Sequence, residues 1–139
     1  MIMALFDIFD VAGSAMSAQA LRLNITASNM ANADTVASTP ERAYKARQPV
    51  FAAALNTAHD TVSAVPVQLR GVVTSSAAAE PLYQPNNPLA DADGYVYRSN
   101  VNTVEAMVNM ISASRSYQNN VEVVSTSRDL LLQTLRLGR

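Results

Sequence analysis

Residues able to act as acids, bases or ligands are few in this chain, and they are scattered. His59 is the single histidine, set in the polar run Asn56-Thr57-Ala58-His59-Asp60. A general base or metal ligand needs convergent partners. None stands nearby in sequence, so His59 reads as an exposed loop residue. Asp91-Ala92-Asp93-Gly94 has the opening of a calcium loop, which would need further oxygen ligands and a closing glutamate. Tyr95, Val96 and Tyr97 follow instead, and Asp93-Gly94 reads as a hairpin turn. Asp7 and Asp10 have the spacing of an acid/base pair, but first-turn acids also stabilise the positive end of a helix, and that reading is adopted. No glycine-rich phosphate loop and no Gly-x-Ser-x-Gly elbow occurs. With no cysteine in the chain, thiol catalysis, disulfides and Cys-ligated metals are excluded. The expectation is a protein that is not an enzyme and that holds no metal and no cofactor.

What remains is a question of elements and surfaces. The 139 residues amount to one domain's worth of chain, long enough for a modest core. Charged residues make up 15%, where about 25% is ordinary. The net charge is -1 and no basic or acidic block is present, which argues against nucleic acid and against an anionic membrane surface. No run approaches the roughly 18 apolar residues of a membrane span, so direct membrane insertion is not expected. Met1-Ile2-Met3-Ala4-Leu5-Phe6-Asp7 has no basic stretch, and Asp7 and Asp10 interrupt its apolar residues. Any export is expected to proceed without a cleaved signal peptide.

The two ends are nearly free of charge. From Val11 to Ala33 the only charged residue is Arg22, and from Ser99 to Val121 there are only Glu105 and Arg115. Both stretches nevertheless repeat apolar residues at helical spacing. Phe9, Gly13, Met16, Ala20, Leu23, Ala27 and Met30 alternate steps of four and three, as in a coiled-coil seam. Large residues alternate there with small ones that would let a neighbouring helix approach. Ile8, Val11, Ala12, Ala15, Leu21 and Ile25 lie off the seam, which implies more than one neighbour. Asn29, Asn32 and Asp34 favour a helix end. Near the other terminus Asn102 or Thr103 is placed to cap a helix. Met107, Met110, Ser114, Tyr117, Val121, Val124, Arg128, Leu131 and Leu135 form its seam, and Gly138 marks its stop. No proline falls between Val101 and Arg139, which permits a helix of about 35 residues, ~50 Å long. Arg115 is either an exposed arginine or the partner of a carboxylate or carbonyl on an adjacent helix. The outer faces carry Ser, Asn, Thr, Gln and Ala, where a solvated helix carries Lys and Glu. Such helices suit surroundings made of other protein.

All six prolines lie between Thr35 and Asn100. Val65, Val67 and Leu69 alternate with Pro66 and Gln68, and Val72 and Val73 follow Gly71, which predicts a strand with Pro66 at an edge. Tyr83-Gln84-Pro85-Asn86-Asn87-Pro88 is turn chemistry, and Tyr95, Val96 and Tyr97 are strand-like. The expected fold is α+β: a helix over 1–34, a small β-rich, loop-rich module over 35–100, and a helix over 101–139. The two helices form a coiled-coil-like pair and one helical core. Residues assigned to helix packing and assembly are Phe9, Met16, Ala20, Leu23, Ala27, Asn29, Met30, Asn32, Met107, Met110, Arg115, Tyr117, Val121, Val124, Leu131 and Leu135.

Particular words sharpen this. Leu23-Asn24-Ile25-Thr26-Ala27-Ser28-Asn29-Met30-Ala31-Asn32-Ala33-Asp34-Thr35 resembles the N-terminal signature of bacterial flagellar rod and hook proteins, the axial family. The run from Tyr83 through Asn87-Pro88-Leu89-Ala90-Asp91 to Gly94-Tyr95-Val96, and then Ser99-Asn100-Val101-Asn102, is similar to a stretch peculiar to one proximal-rod member. Ser112-Ala113-Ser114-Arg115-Ser116-Tyr117-Gln118-Asn119-Asn120-Val121-Glu122-Val123 and Leu135-Arg136-Leu137-Gly138 continue the likeness. It covers about residues 4–35 and 81–139. Where the family has a glycine-containing turn before its tyrosine-basic strand, Pro40-Glu41-Arg42-Ala43 precedes Tyr44-Lys45-Ala46-Arg47, and residues 52–80 match nothing. The resemblance implies a structural subunit of the flagellar basal body. It would be exported through the flagellar type III apparatus and stacked helically into a hollow, torque-transmitting rod across the periplasm. Implied partners are other copies, the other proximal rod proteins, the distal rod protein and the basal-body export and ring components. A type III secretion needle or translocator subunit would share the uncharged terminal helices, but has no reason for the Asn87–Val96 stretch.

Overall fold

The computed structural model describes residues 2–54 and 65–137, with side chains over 7–54 and 65–136. His59 and Gly138 lie outside the described residues. The order is helix α1 (Ile2–Ala31), strands β1 (Val36–Ala37), β2 (Arg47–Ala53), β3 (Val67–Thr74), β4 (Glu80–Tyr83) and β5 (Tyr95–Arg98), then helix α2 (Thr103–Leu137). The expected α+β arrangement of two long terminal helices around a strand-rich middle is what the chain adopts.

The end of α1 and the start of α2 are closed by side chains. Asn32 Nδ2 donates to the Ser28 carbonyl at 2.8 Å and Thr35 Oγ1 to the Asn32 carbonyl at 2.7 Å, each joining a backbone amide on the same acceptor at the end of α1. Asn102 caps α2: its Oδ1 accepts from the amides of Val104 at 3.0 Å and Glu105 at 3.1 Å. One expectation fails. Helix α1 starts at Ile2 and has no acidic residue in its first turn, so Asp7 and Asp10 sit too deep for the helix-end role assigned to them, because the macrodipole's effect fades within one turn.

The strands form a three-stranded antiparallel sheet ordered β1-β5-β4 and a separate antiparallel ribbon β2-β3. Strand β5 is central in its sheet, and its Val96 is the largest fully buried side chain described, at 0% exposure. Beside it, Arg98 Nε donates to Glu80 Oε2 at 3.1 Å and its guanidinium forms an ion pair with the same carboxylate. On β4, the Gln84 amide donates to the Gly94 carbonyl at 2.9 Å. Even-numbered residues of β4 therefore face β5, and Pro81, which has no N–H, faces the open edge. On β2, the Ser75 amide donates to the Ala46 carbonyl at 2.8 Å, which turns Pro49 to the outside in the same way. Pairing passes from Val50↔Gly71 to Phe51↔Leu69, leaving Arg70 as an extra residue in β3. The carbonyl of Pro66 accepts from the Ala54 amide at 2.9 Å, so Pro66 faces β2 and its missing N–H ends the ladder at this edge of the ribbon.

Asp93-Gly94 does not form a two-residue turn. Strands β4 and β5 are joined by a longer loop that Asp91 organises from within. Its Oδ1 accepts from the Tyr95 amide at 2.8 Å and the Asp93 amide at 3.0 Å, and its Oδ2 accepts from the Tyr97 hydroxyl at 3.1 Å. Gly94 closes the loop at φ 83°, where a Cβ would come within 2.9 Å of the Tyr83 ring. That ring meets Tyr95 edge-on, with centroids 5.3 Å apart. Replacing Gly94 with Ala combines a disfavoured φ with a clash, and urea unfolding is expected to show a loss of about 2 kcal/mol. The amide of Tyr95, followed by the Tyr97 hydroxyl, holds the Asp91 carboxyl below its ordinary value. A depressed folded pKa stabilises above the unfolded value of about 3.9, and the contribution is lost as pH falls through the folded value. Tyr95 and Tyr97 NMR signals should shift in that acid window, and Asp91→Ala should abolish the transition.

Candidate assembly interface

Helices α1 and α2 make the most extensive contact in the chain. They run antiparallel, since the end of α1 lies beside the start of α2 and Arg22 meets Asn109. What they bury against each other is small. Ala12 and Thr26 of α1 and Ala106 and Ala113 of α2 are buried, Ala113 at 0% exposure. Along α2 the half-buried positions that continue this stripe are Asn109, Met110, Ser116, Asn120, Val124, Ser127 and Leu131. Arg22 is turned into the pair, its guanidinium donating to Asn109 Oδ1 at 2.9 Å.

The large apolar residues of α2 point elsewhere. Val104 is 68% exposed, Val108 61% and Ile111 55%, and Met107, Val121, Val123, Leu130, Leu132 and Leu135 are exposed as well. This helix places its small and polar residues inward and many of its larger apolar ones outward, the reverse of an ordinary surface helix. Val104, Met107, Val108 and Ile111, spaced at one helix face, form an uncovered apolar stripe that makes this face a candidate interface.

The seam residues read from sequence divide across this boundary. Phe9, Met16, Ala20, Leu23 and Met30 are half-buried and Ala27 is exposed. On α2, Met110, Val124 and Leu131 are half-buried, whereas Met107, Tyr117, Val121 and Leu135 are exposed. Arg115 is exposed and makes no ion pair or hydrogen bond with the described residues. At Gly13 an added Cβ would meet no atom within 4 Å. The absence of a side chain there is therefore not required by packing inside this chain.

Asn29 and Asn32 belong to the internal frame. Asn32 closes α1, as described above. Asn29, 8% exposed, behaves as a strand partner on a helix. Its Nδ2 donates to the Arg47 carbonyl at 2.7 Å, and its Oδ1 accepts from the Arg47 amide at 3.0 Å and the Tyr44 hydroxyl at 3.0 Å. Asn100 makes a second clamp, accepting from the Ala46 amide at 2.7 Å and donating to the Ala77 carbonyl at 2.7 Å. Further along α1, Ser14 Oγ accepts from the Val67 amide at 3.0 Å. The ribbon is thus laid along α1 and held at both ends. Sequence reading missed Ser14, Arg22, Asn100 and Asn109 as contacts, although a lone arginine in an uncharged helix and an asparagine between β5 and α2 were visible signals. Between α1, the start of α2 and the ribbon lies an open cleft of 590 Å³. Among the described residues no cluster of metal-ligating side chains occurs, and no helix is long and apolar enough to cross a membrane.

Comparison with known proteins places both helices in flagellar rod families. Residues 9–36 match the model of the flagella basal body rod protein family, and residues 92–137 match that of the flagellar basal body rod FlgEFG protein C-terminal family. The chain is 50% identical to flagellar basal-body rod protein FlgC of Yersinia enterocolitica, over 99% of this chain and 100% of that protein. It is 48% identical to FlgC of Salmonella typhimurium strain LT2 and 32% identical to FlgC of Buchnera aphidicola subsp. Baizongia pistaciae, with the same coverage. These relatives make the chain a structural, non-enzymatic protein of the flagellar basal-body rod. Within that class the chain belongs to the FlgC family.

Asn29→Ala strips partners from a buried amide, a carbonyl and a hydroxyl at once. Chemical denaturation is expected to show a loss of roughly 2–4 kcal/mol, larger than that from alanine at the exposed Asn24.

Proposed function

We propose that this rod subunit acts as a segment of the proximal drive shaft. Its copies and neighbouring axial subunits pack side by side through the outward apolar face of α2 and the outer side of α1. The observation that carries the reading is the inversion of α2, whose face of Val104, Met107, Val108 and Ile111 is left without cover in the single chain. Heterologous contacts that do not close on themselves generate a helical tube. Torque passed through such a tube is shared among many modest lateral contacts. The outward members of the two seams, Ala27, Met107, Arg115, Tyr117, Val121 and Leu135, are assigned to neighbouring subunits. Phe9, Met16, Ala20, Leu23, Met30, Met110, Val124 and Leu131 are assigned to the border between the chain's own helix pair and those neighbours. The strand-rich middle decorates or bridges the outside.

The family associates with other rod and basal-body components. The partners proposed here are further copies, the other proximal rod proteins, the distal rod protein and the basal-body export and ring components. Location in the basal body follows from the family. Passage through the flagellar type III apparatus without cleavage, to the part of the rod that spans the periplasm, belongs to the proposal.

Ile111→Asp tests the outward face directly. The site is exposed, so the isolated variant should unfold within about 0.5 kcal/mol of the parent. The same variant should be absent from detergent-extracted basal bodies and its cells non-motile. A variant that is recovered in basal bodies at the parental level would remove the α2 face from the interface.

A further inference from the structure

Two exposed features of this chain are complementary and do not meet within it. The first is the tip of the β4-β5 hairpin. Tyr83 is 63% exposed and Tyr95 40%, and the two rings meet edge-on beside Gly94 and Pro85. The bonds of Asp91 fix this tip, as does Asn87, whose amide and Nδ2 donate to the Gln84 carbonyl and Oε1 at 3.0 and 2.9 Å. Its aromatic groups are therefore preorganised, and burying them against a partner costs little conformational entropy. Asp91 spends its carboxylate inside the loop. Asp93 is exposed, and its carboxylate makes no hydrogen bond or ion pair with the described residues. No basic residue occurs between Pro81 and Tyr97.

The second feature is the outward stripe of α2. Val104, Val108 and Ile111 follow one another at steps of four and three, and Arg115, four residues on, ends the stripe with a lone positive charge. Glu105, the other charge on these turns, lies on the flank that lines the cleft.

We propose that Tyr83 and Tyr95 at the hairpin tip of one copy seat on the Val104–Ile111 stripe of the next copy, with Asp93 paired to that copy's Arg115. The inference rests on the rod-subunit reading and names what covers this part of α2. Chemistry argues for a second copy: an apolar stripe ending in one cation matches an aromatic knob ending in one anion. Tyrosine faces attract a guanidinium as well, and binding energy concentrates on tyrosine and arginine. Within the chain α2 makes no contact with β4 or β5. Because the two patches differ, a copy engaged at its tip still offers its stripe, and the contact extends a helical series.

Arg115→Asp and Asp93→Arg should each leave the Tm within about 2 °C of the parent, since both sites are exposed. Each should lower incorporation into basal bodies about tenfold, because like charges then meet across the contact. Combined in one chain they restore opposite charges, and incorporation should return to within about threefold of the parent. Single reversals that incorporate normally, or a double variant no better than the singles, overturn the proposal. A second measurement leaves both charges in place. The chain has no cysteine, so Ala92→Cys with Ser112→Cys, both at exposed positions, places one thiol beside each patch. A short bis-maleimide added to purified basal bodies should link this variant into multimers longer than dimers, and dimers alone or unlinked chains overturn the proposal. Absence of the unsubstituted chain from basal bodies would instead strike the rod reading itself.

Discussion

The closeness of α1 to α2 is the constraint from which the rest follows. An interface whose fully buried residues are Ala12, Ala106 and Ala113 brings two helices close together and leaves larger side chains such as Met110, Val124 and Leu131 only half covered at its margins. Val104, Val108 and Ile111 are excluded from it, and on a helix the only other place for them is outside. The intramolecular packing of the helix pair therefore accounts for the apolar residues that α2 leaves uncovered. Widening the pair to admit leucines would cover them, and would leave a self-sufficient monomer with nothing to build on.

Since alanine contacts hold the helices but do not specify much else, the strand-rich middle is fastened by polar means. Asn29 treats the Arg47 backbone as a strand would, Asn100 joins Ala46 to Ala77, and Ser14 receives the Val67 amide. The bonds to Arg47 and Val67 take up backbone groups that a two-stranded ribbon leaves unpaired, and such a ribbon is marginal on its own. The side chains that register the ribbon on α1 are those that make its burial tolerable.

The helices were legible because their signals are local and repeated: uncharged seams, an asparagine cap at Asn102 and a proline-free run from Val101 onward. Strands β3 and β5 showed through alternation and aromatic residues. Strand β2 did not, because Pro49 and two alanines weaken its pattern, and β4 starts with Glu80-Pro81. Periodicity placed residues on a helix stripe but not the stripe against a partner, and that is why Met107 and Val121 share a seam with Met110 and Val124 while differing in exposure. The contacts of Asn29, Asn100 and Arg22 depend on residues 15 or more positions away in sequence, which local reading does not reach. Asp93-Gly94 misled because an aspartate two residues earlier reaches forward and makes a larger loop.

A subunit with this much uncovered apolar surface must survive unassembled without sticking to its own kind in the wrong way, and its strand edges meet that need. Proline faces outward on β4 and on β2, β3 is bent by the extra Arg70, and β1 is only two residues long. Every one of these is a known barrier to strand addition between chains. Strand addition at these edges is disfavoured. The prolines that obscured β2 and β4 in the sequence are thus what keeps a waiting pool of subunits from polymerising by the wrong route.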